Sequence, residues 1–368
     1  MEKTLIILDV EGPQVLNDNA QELIVHLAKE FPSWENVRHW LVIRPEEKEK
    51  HMTLGEIIGT RFFARISNID DIWGDFHRIL QDPAYSSGHT LKVILPFMKA
   101  LGATYRSLYE FSQQSLRLVS NVKSVIAELN EHCNVWMVST SYEFFIRAYC
   151  DFIGFPFERA YCTKVDQRDF DGLTINRDES YWLLEFMKQV AAMPIIKYNE
   201  KTGEVIPEHQ EYYGQITSFI WDRVYNIPVG KLLRIVHPVG QTQKREAAEK
   251  ILSDTAIPLS KTMGVGDSQT DLQIAQLLRD EGLMVMFNGK GKVCGQSGIM
   301  CIGEDANTVR EVAHRFSEYG REETIRYYTS SSRGEGIHAV TPENINELEQ
   351  LSVKKRKEFR GVHIGELT

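Results

Sequence analysis

Short uninterrupted apolar runs alternate along this chain with stretches whose apolar residues recur every three or four positions. The runs are Thr4–Asp9, Val135–Ser139, Thr262–Val265, Leu283–Phe287 and Ile299–Ile302, each too short for a helix and bounded by turn-forming residues. Strands that read as solid apolar blocks are buried on both faces, which is the habit of parallel strands covered by helices. The pattern predicts an α/β fold, a Rossmann-like parallel sheet core with helices on both faces. Two long stretches interrupt it. Between Pro13 and about Val122, helical periodicity dominates, at Ala20–Phe31, Glu56–Phe63, Ile72–Leu80 and Thr90–Leu101, and predicts an inserted helical cap domain over residues 15–121. A second insertion, about 178–239, carries helical patterns at Tyr181–Ala192 and Tyr212–Tyr225 around the turn-prone Asn199-Glu-Lys-Thr-Gly203. The core is then expected from residues 1–14 and 122–320, and 321–368 as a helical extension. That last part reads as a helix to Tyr319, a break at Ser330–Gly336 and a charged helix Pro342–Phe359, whose Lys354-Lys-Arg-Lys357 run is most simply a solvated face.

Composition narrows the function classes. Of 368 residues 42% are hydrophobic and 25% charged, and 42 basic against 51 acidic residues give a net charge of −9. A chain of that sign lacks the concentrated positive field that phosphate backbones require, so no nucleic-acid partner is expected. The five cysteines form no Cys-x-x-Cys pair, which argues against a disulfide framework and a zinc site. No apolar run approaches membrane-spanning length and the chain opens on a strand, so the expected setting is cytoplasmic, without membrane insertion.

Acids gather where strands should end. Asp9-Val-Glu11-Gly12 follows the first run, and the turn at Gly12-Pro13 can bring Glu11 round to the cleft that Asp9 faces, so one acid attacks while the other moves a proton. Gly264-Val-Gly-Asp267-Ser-Gln-Thr-Asp271 follows another run and opens the helical pattern Leu272–Leu278. Oxygen ligands from Asp9 and Asp267, a backbone carbonyl near Glu11 and waters suit a magnesium ion, with Asp271 orienting or coordinating indirectly. Capping of the following helices by Asp267 or Ser268 is the bland alternative, and a cap and a ligand can coexist. Ser139-Thr140-Ser141 ends a third run, where a hydroxyl either caps a helix or meets a phosphoryl oxygen. Lys244 opens the helical segment Lys244–Leu252 ahead of the Asp267 strand, with Lys231, Arg245 and Lys250 as competitors for the role of fixed cation. Asn288-Gly-Lys-Gly-Lys292 has neither P-loop spacing nor the serine or threonine that follows one, and reads as a turn at the site rim.

Taken in order, Asp9-Val-Glu11-Gly12, Val138-Ser139, Lys244 and Gly266-Asp267-Ser-Gln-Thr-Asp271 resemble the haloacid dehalogenase-like hydrolase superfamily. The likeness is to phosphoserine-phosphatase-like members, through Leu118–Val122 with Glu128-Leu129 and through Asp171-Gly-Leu-Thr174. Within the superfamily the chain also resembles an archaeal group described as energy-converting hydrogenase A subunit R. The resemblance implies catalytic roles for Asp9, Glu11, Ser139 and Lys244, substrate contacts at Gly12 and Thr140, and a magnesium site at Asp9, Glu11, Asp267 and Asp271. It implies a magnesium-dependent phosphatase acting on a small phosphorylated metabolite through an aspartyl phosphate on Asp9. A weakly catalytic scaffold subunit with a protein partner, or a phosphotransferase, are the alternatives. Departures from the family are Glu11 in place of the usual aspartate, Pro13, and Gln269-Thr270 where an asparagine is common. Of the cap, Arg61, Arg65, His77 and Arg106 are residues that can face the substrate, each more simply a surface residue.

Overall fold

Leu5–Leu8 (β1) lies in the interior of a seven-stranded sheet, with Leu5 and Ile7 packed into one apolar cluster and Ile6 and Leu8 into another on the opposite face. That two-sided burial is why all four residues are apolar. The computed structural model describes residues 3–32, 34, 41–79, 88–330 and 336–361. After β1 come α1 (Asn19–Glu30), α2 (Pro45–Glu49), α3 (Leu54–Ile79), α4 (His89–Ala100), α5 (Tyr105–Ser115) and α6 (Val122–His132). The chain returns to the sheet at β2 (Asn134–Tyr142), followed by α7 (Glu143–Ile153), β3 (Ala160–Thr163), α8 (Gln167–Gly172), α9 (Arg177–Ala192), α10 (Gln210–Ser218), α11 (Lys231–Ile235) and α12 (Gln241–Thr255). Last are β4 (Thr262–Gly266), α13 (Leu272–Leu278), β5 (Leu283–Phe287), β6 (Ile299–Cys301), α14 (Asn307–Ser330), β7 (Ile337–Ala339) and α15 (Ile345–Arg360).

The strand order is β3-β2-β1-β4-β5-β6-β7, parallel except for the last pair. The chain is thus the expected α/β protein with a Rossmann-like core, and its acids stand at the carboxyl ends of β1 and β4 beside the switch point of the strand order, where such sheets build their clefts. Helices α12, α13 and α15 contribute Ala248, Ile251, Ile274, Leu278 and Leu348 to one face, and α6, α7 and α14 cover the other.

Four features differ from the expectation. The 26-residue α3 spans both helical patterns expected at Glu56–Phe63 and Ile72–Leu80, although Leu80 itself lies outside the described residues. The stretch 178–239 is no separate appendage: α9 packs against α3 and α4, so both insertions build one helical layer over the sheet edge. The pattern Tyr212–Tyr225 is α-helical only to Ser218, widens through a π turn, Phe219–Arg223, and then tightens into a 3-10 turn, Val224–Asn226. The segment expected only as a helical extension adds β7 to the sheet, antiparallel to β6, and α14 breaks at Gly320 (φ 77°) before resuming. Most of the Ser330–Gly336 break lies outside the described residues. No described helix is long and apolar enough to cross a membrane.

Candidate active site

Three carboxylates meet above the carboxyl ends of β1 and β4. Asp9, Asp267 and Asp271 are all buried and each presents an oxygen within 4.8 Å of the others. β1 delivers Asp9 as the first residue beyond its ladder, its amide donating to Val265 O at 2.8 Å, so neighbouring strands fix its height. Its Oδ1 accepts from the Val10 amide at 2.7 Å and its Oδ2 from Lys244 Nζ at 2.5 Å. Lys244, fully buried in the first turns of α12, also donates to Asp271 Oδ1 at 2.8 Å. Asp271 Oδ2 accepts from the amides of Asp267 and Ser268 at 3.0 and 3.2 Å, so this acid both caps the short turn before α13 and orients the lysine. The cap and the site share one side chain. Lys231, Arg245 and Lys250 pair with Asp169, Glu249 and Asp254 away from this centre.

Gly12 owes its place to Asp267. At φ +98° it sits so close that a Cβ would stand 1.8 Å from Asp267 Oδ2, and it is not among the cavity-lining residues, so the expected substrate contact is replaced by a requirement for close approach. Glu11 faces the same cavity as Asp9, but its carboxylate accepts from the Asn19 amide at 2.9 Å, at the start of α1, and stands outside the three-acid cluster. Ser139 lines the cavity and is buried, its hydroxyl donating to Ser141 Oγ at 3.2 Å; the strand runs past it to Tyr142 through a register shift against β3. Thr140 also lines the cavity, and its buried hydroxyl has no hydrogen-bond partner among the described residues.

The cavity holds about 730 Å³, a volume suited to a small metabolite, and the helical layer supplies its far wall with Asp70, Asp71, Asp75, His77 and Tyr198. Of the cap residues singled out in sequence, His77 is there. Arg61 and Arg65 are buried instead within the helical layer: Arg61 grips Glu47 with two nitrogens at 2.6 and 2.7 Å, and Arg65 donates to the carbonyls of Met193 and Arg61. Arg106 is exposed and paired with Glu110.

Two residues went unread in the sequence. Arg356 and Arg360 of α15 are buried, line the cavity and donate to Asp267 Oδ2, Arg360 at 3.3 Å. The run expected as a solvated face therefore turns one arginine inward. The signal was the four-residue spacing of Leu348, Ser352, Arg356 and Arg360, which stacks them on one helix face. Asn288–Lys292 is a docking point for that helix: Ser352 Oγ donates to Gly289 O at 2.7 Å and the Gly291 amide donates to Glu349 at 2.8 Å. Neither Lys290 nor Lys292 lines the cavity.

Electrostatically the centre is short of positive charge. Asp9, Glu11, Asp18, Asp267 and Asp271 face Lys244, Arg356 and Arg360. Burial pushes Asp9 up to about 7 against the pull of Lys244, with Asp271 and Asp267 adding to the rise. Burial, reinforced by Asp18, raises Glu11 to about 8, so it holds its proton near neutrality. Burial pulls Lys244 down, yet Asp271 and Asp9 outweigh it and keep the ammonium charged. A cluster of hard oxygen donors whose carboxyls burial makes costly to ionise without a cation fits a divalent hard cation such as magnesium. The arrangement places two proton-holding carboxyls, Asp9 and Glu11, and the fixed cations Arg356 and Arg360 around one cavity, with Lys244 behind Asp9.

No protein-family model matches the sequence, and none of the curated proteins compared with it matches. Among solved structures, the gene product AF1437 from Archaeoglobus fulgidus aligns over 99% of both chains with a TM-score of 0.74 and 22% identity. A phosphoserine phosphatase in its apo form aligns over 85% of this chain and 98% of its own, at 16% identity and a TM-score of 0.41. A phospho-aspartyl intermediate analogue of phosphoserine phosphatase gives 0.42 at 16% identity over 84% and 99%. The full-length likeness shows that this fold recurs in an archaeal protein of the same size, and the case for chemistry rests on the site itself.

Proposed function

We propose that the protein is a divalent-cation-dependent phosphatase of the haloacid dehalogenase-like type, hydrolysing a small phosphomonoester through an aspartyl phosphate on Asp9. The observation that carries this reading is the junction of Asp9, Asp267, Asp271 and Lys244 at the head of β1 and β4, whose Asp9 and Asp267 line the same cavity as Glu11 and Ser139. Asp9 and Asp267 would hold magnesium, with Asp271 close by, and the ion would supply positive charge to the phosphoryl group and keep the Asp9 carboxylate ionised.

The remaining steps belong to the chain's own residues. An Asp9 carboxylate oxygen attacks phosphorus, and the bond from phosphorus to the ester oxygen breaks. Glu11 gives its proton to the departing alkoxide, which its raised affinity for a proton suits it to do. The Glu11 carboxylate then takes a proton from water as the water oxygen attacks the aspartyl phosphate, releasing inorganic phosphate and restoring Asp9. Lys244 offsets charge on the transferring group, and the hydroxyls of Ser139 and Thr140 offer it hydrogen bonds. Water is the only co-reactant, and the alcohol and inorganic phosphate are the products.

The test is phosphate release from a panel of phosphate esters with magnesium. The unaltered protein turns over at least one ester, and Asp9→Asn lowers that rate at least about 1,000-fold. Equal turnover by the variant overturns the scheme.

A further inference from the structure

The C-terminal helix reaches across the molecule to touch one acid. α15 is fixed to the turn behind Asp267 by the Ser352 and Glu349 contacts, and that turn is itself tied to Asp267 by the Lys290 amide, which donates to Asp267 O at 3.1 Å. From this base Arg356 and Arg360, 2% and 7% exposed, both donate to a single oxygen, Asp267 Oδ2. Arg360 is further held by the carbonyls of Leu16 and Asn17, at 3.2 and 2.7 Å, beyond the Asp9-Val-Glu11-Gly12 segment. Asp267 Oδ1 accepts no hydrogen bond from the described residues.

We propose that Arg356, seconded by Arg360, is a positioning residue that clamps Oδ2 of Asp267 so that Oδ1 is presented to the divalent cation. The inference deepens the proposed function and rests on its metal site. Three physical points support it. The backbone of Asp267 is held by Asp271 and the Lys290 amide, which leaves the side-chain torsions as its remaining freedom, and a carboxylate free to rotate costs a metal site conformational entropy that a fixed one does not. A guanidinium is rigid and permanently charged, so it fixes a carboxylate better than a lysine does. Gly12 closes the other side of Oδ2, with no room for that oxygen to swing toward β1. The helix that reads as an appendage thereby sets the affinity of the centre. Hydrogen-bond partners of metal ligands commonly change metal affinity 10–100-fold.

The experiment is calorimetric titration of magnesium chloride into the metal-free full chain, beside thermal melts and titration of inorganic phosphate at saturating magnesium. Arg356→Met is expected to weaken magnesium binding about 10–100-fold. Arg356→Lys is expected to recover part of that loss, and Lys354→Ala, an exposed neighbour in the same basic run, to leave it unchanged. Phosphate affinity at saturating magnesium stays within about 2-fold, given the same ion and lysine. Tighter magnesium binding by Arg356→Met would show the guanidinium to be a competitor for Asp267 and overturn the proposal. Unchanged magnesium binding with weakened phosphate binding would make Arg356 a substrate ligand and overturn it too, and so would a lowered melting temperature with unchanged magnesium affinity. Should Arg356→Met not fold, Arg356→Lys and Arg360→Ala carry the same readout, with a smaller expected loss. Absence of magnesium binding in the unaltered protein removes the metal site and with it the proposed function, which separates that failure from an unaffected variant.

Discussion

Buried charge is handled oppositely in the helical layer and at the sheet edge. In the helical layer Arg61 holds both oxygens of Glu47, while Arg65, pulled down to about 10 by burial and by Arg44 and Arg61, gives its donors to two backbone carbonyls. At the sheet edge five acids face three cations, and Asp9 and Glu11 are both held well above the ordinary carboxylate range by burial. The Arg61–Glu47 pair sets charge against charge and only stabilises. The second leaves acids uncompensated, a cost a fold keeps where the surplus has another use.

That contrast is open to measurement. The largest effect is expected in the helical layer, where Arg61→Met strands the Glu47 carboxylate and lowers unfolding free energy by about 3 kcal/mol. Denaturant unfolding measures it, and magnesium affinity below the transition is expected to stay as it was. A loss under about 1 kcal/mol would mean that Glu47 reaches water and the two regions are less different than described. A smaller effect of opposite sign is expected at the edge. In metal-free buffer Asp9→Asn removes an acid that burial disfavours, and the melting temperature rises, by about 2–4 °C for each kcal/mol recovered. A variant that is both inactive and less stable would place Asp9 among the structural charges.

The smallest effect concerns pH. Burial, with help from Lys92 and His77, holds His89 in α4 down at about 3, against an ordinary value of 6.5. As pH falls below about 6.5 the unfolded chain binds a proton that the folded one refuses, so stability is lost progressively toward pH 3, by about 2 kcal/mol at pH 5. Unfolding curves near neutrality and near pH 5 for the unaltered protein and His89→Phe check this. The variant is expected to show a shallower decline, and an identical one would mean the acid sensitivity lies in other groups.

Much of this architecture was legible in the residues. The five runs expected as strands are strands, because a strand buried on both faces has no choice but to be apolar throughout. β3 and β7 escaped notice since Ala160–Thr163 and Ile337–Ala339 lie at or near the sheet margins, short and only partly apolar. The acids at Asp9, Asp267 and Asp271 were legible too, because their positions follow from where strands stop. Gly12 was noticed for the wrong reason: its neighbour is 255 residues ahead in the chain, and no local pattern announces a close approach of that range.

Periodicity and strand-end chemistry, read without coordinates, determined the parallel core, the insertion of helices after β1 and the strand ends at which acids stand. Only the tertiary structure decided that both insertions form one layer, that Glu11 turns to α1, and that a basic run at the far end of the chain buries Arg356 against Asp267. The reason is physical. Which face of an element is apolar is written in its own residues, whereas the partner of a buried charge is fixed by whatever distant segment packing brings beside it.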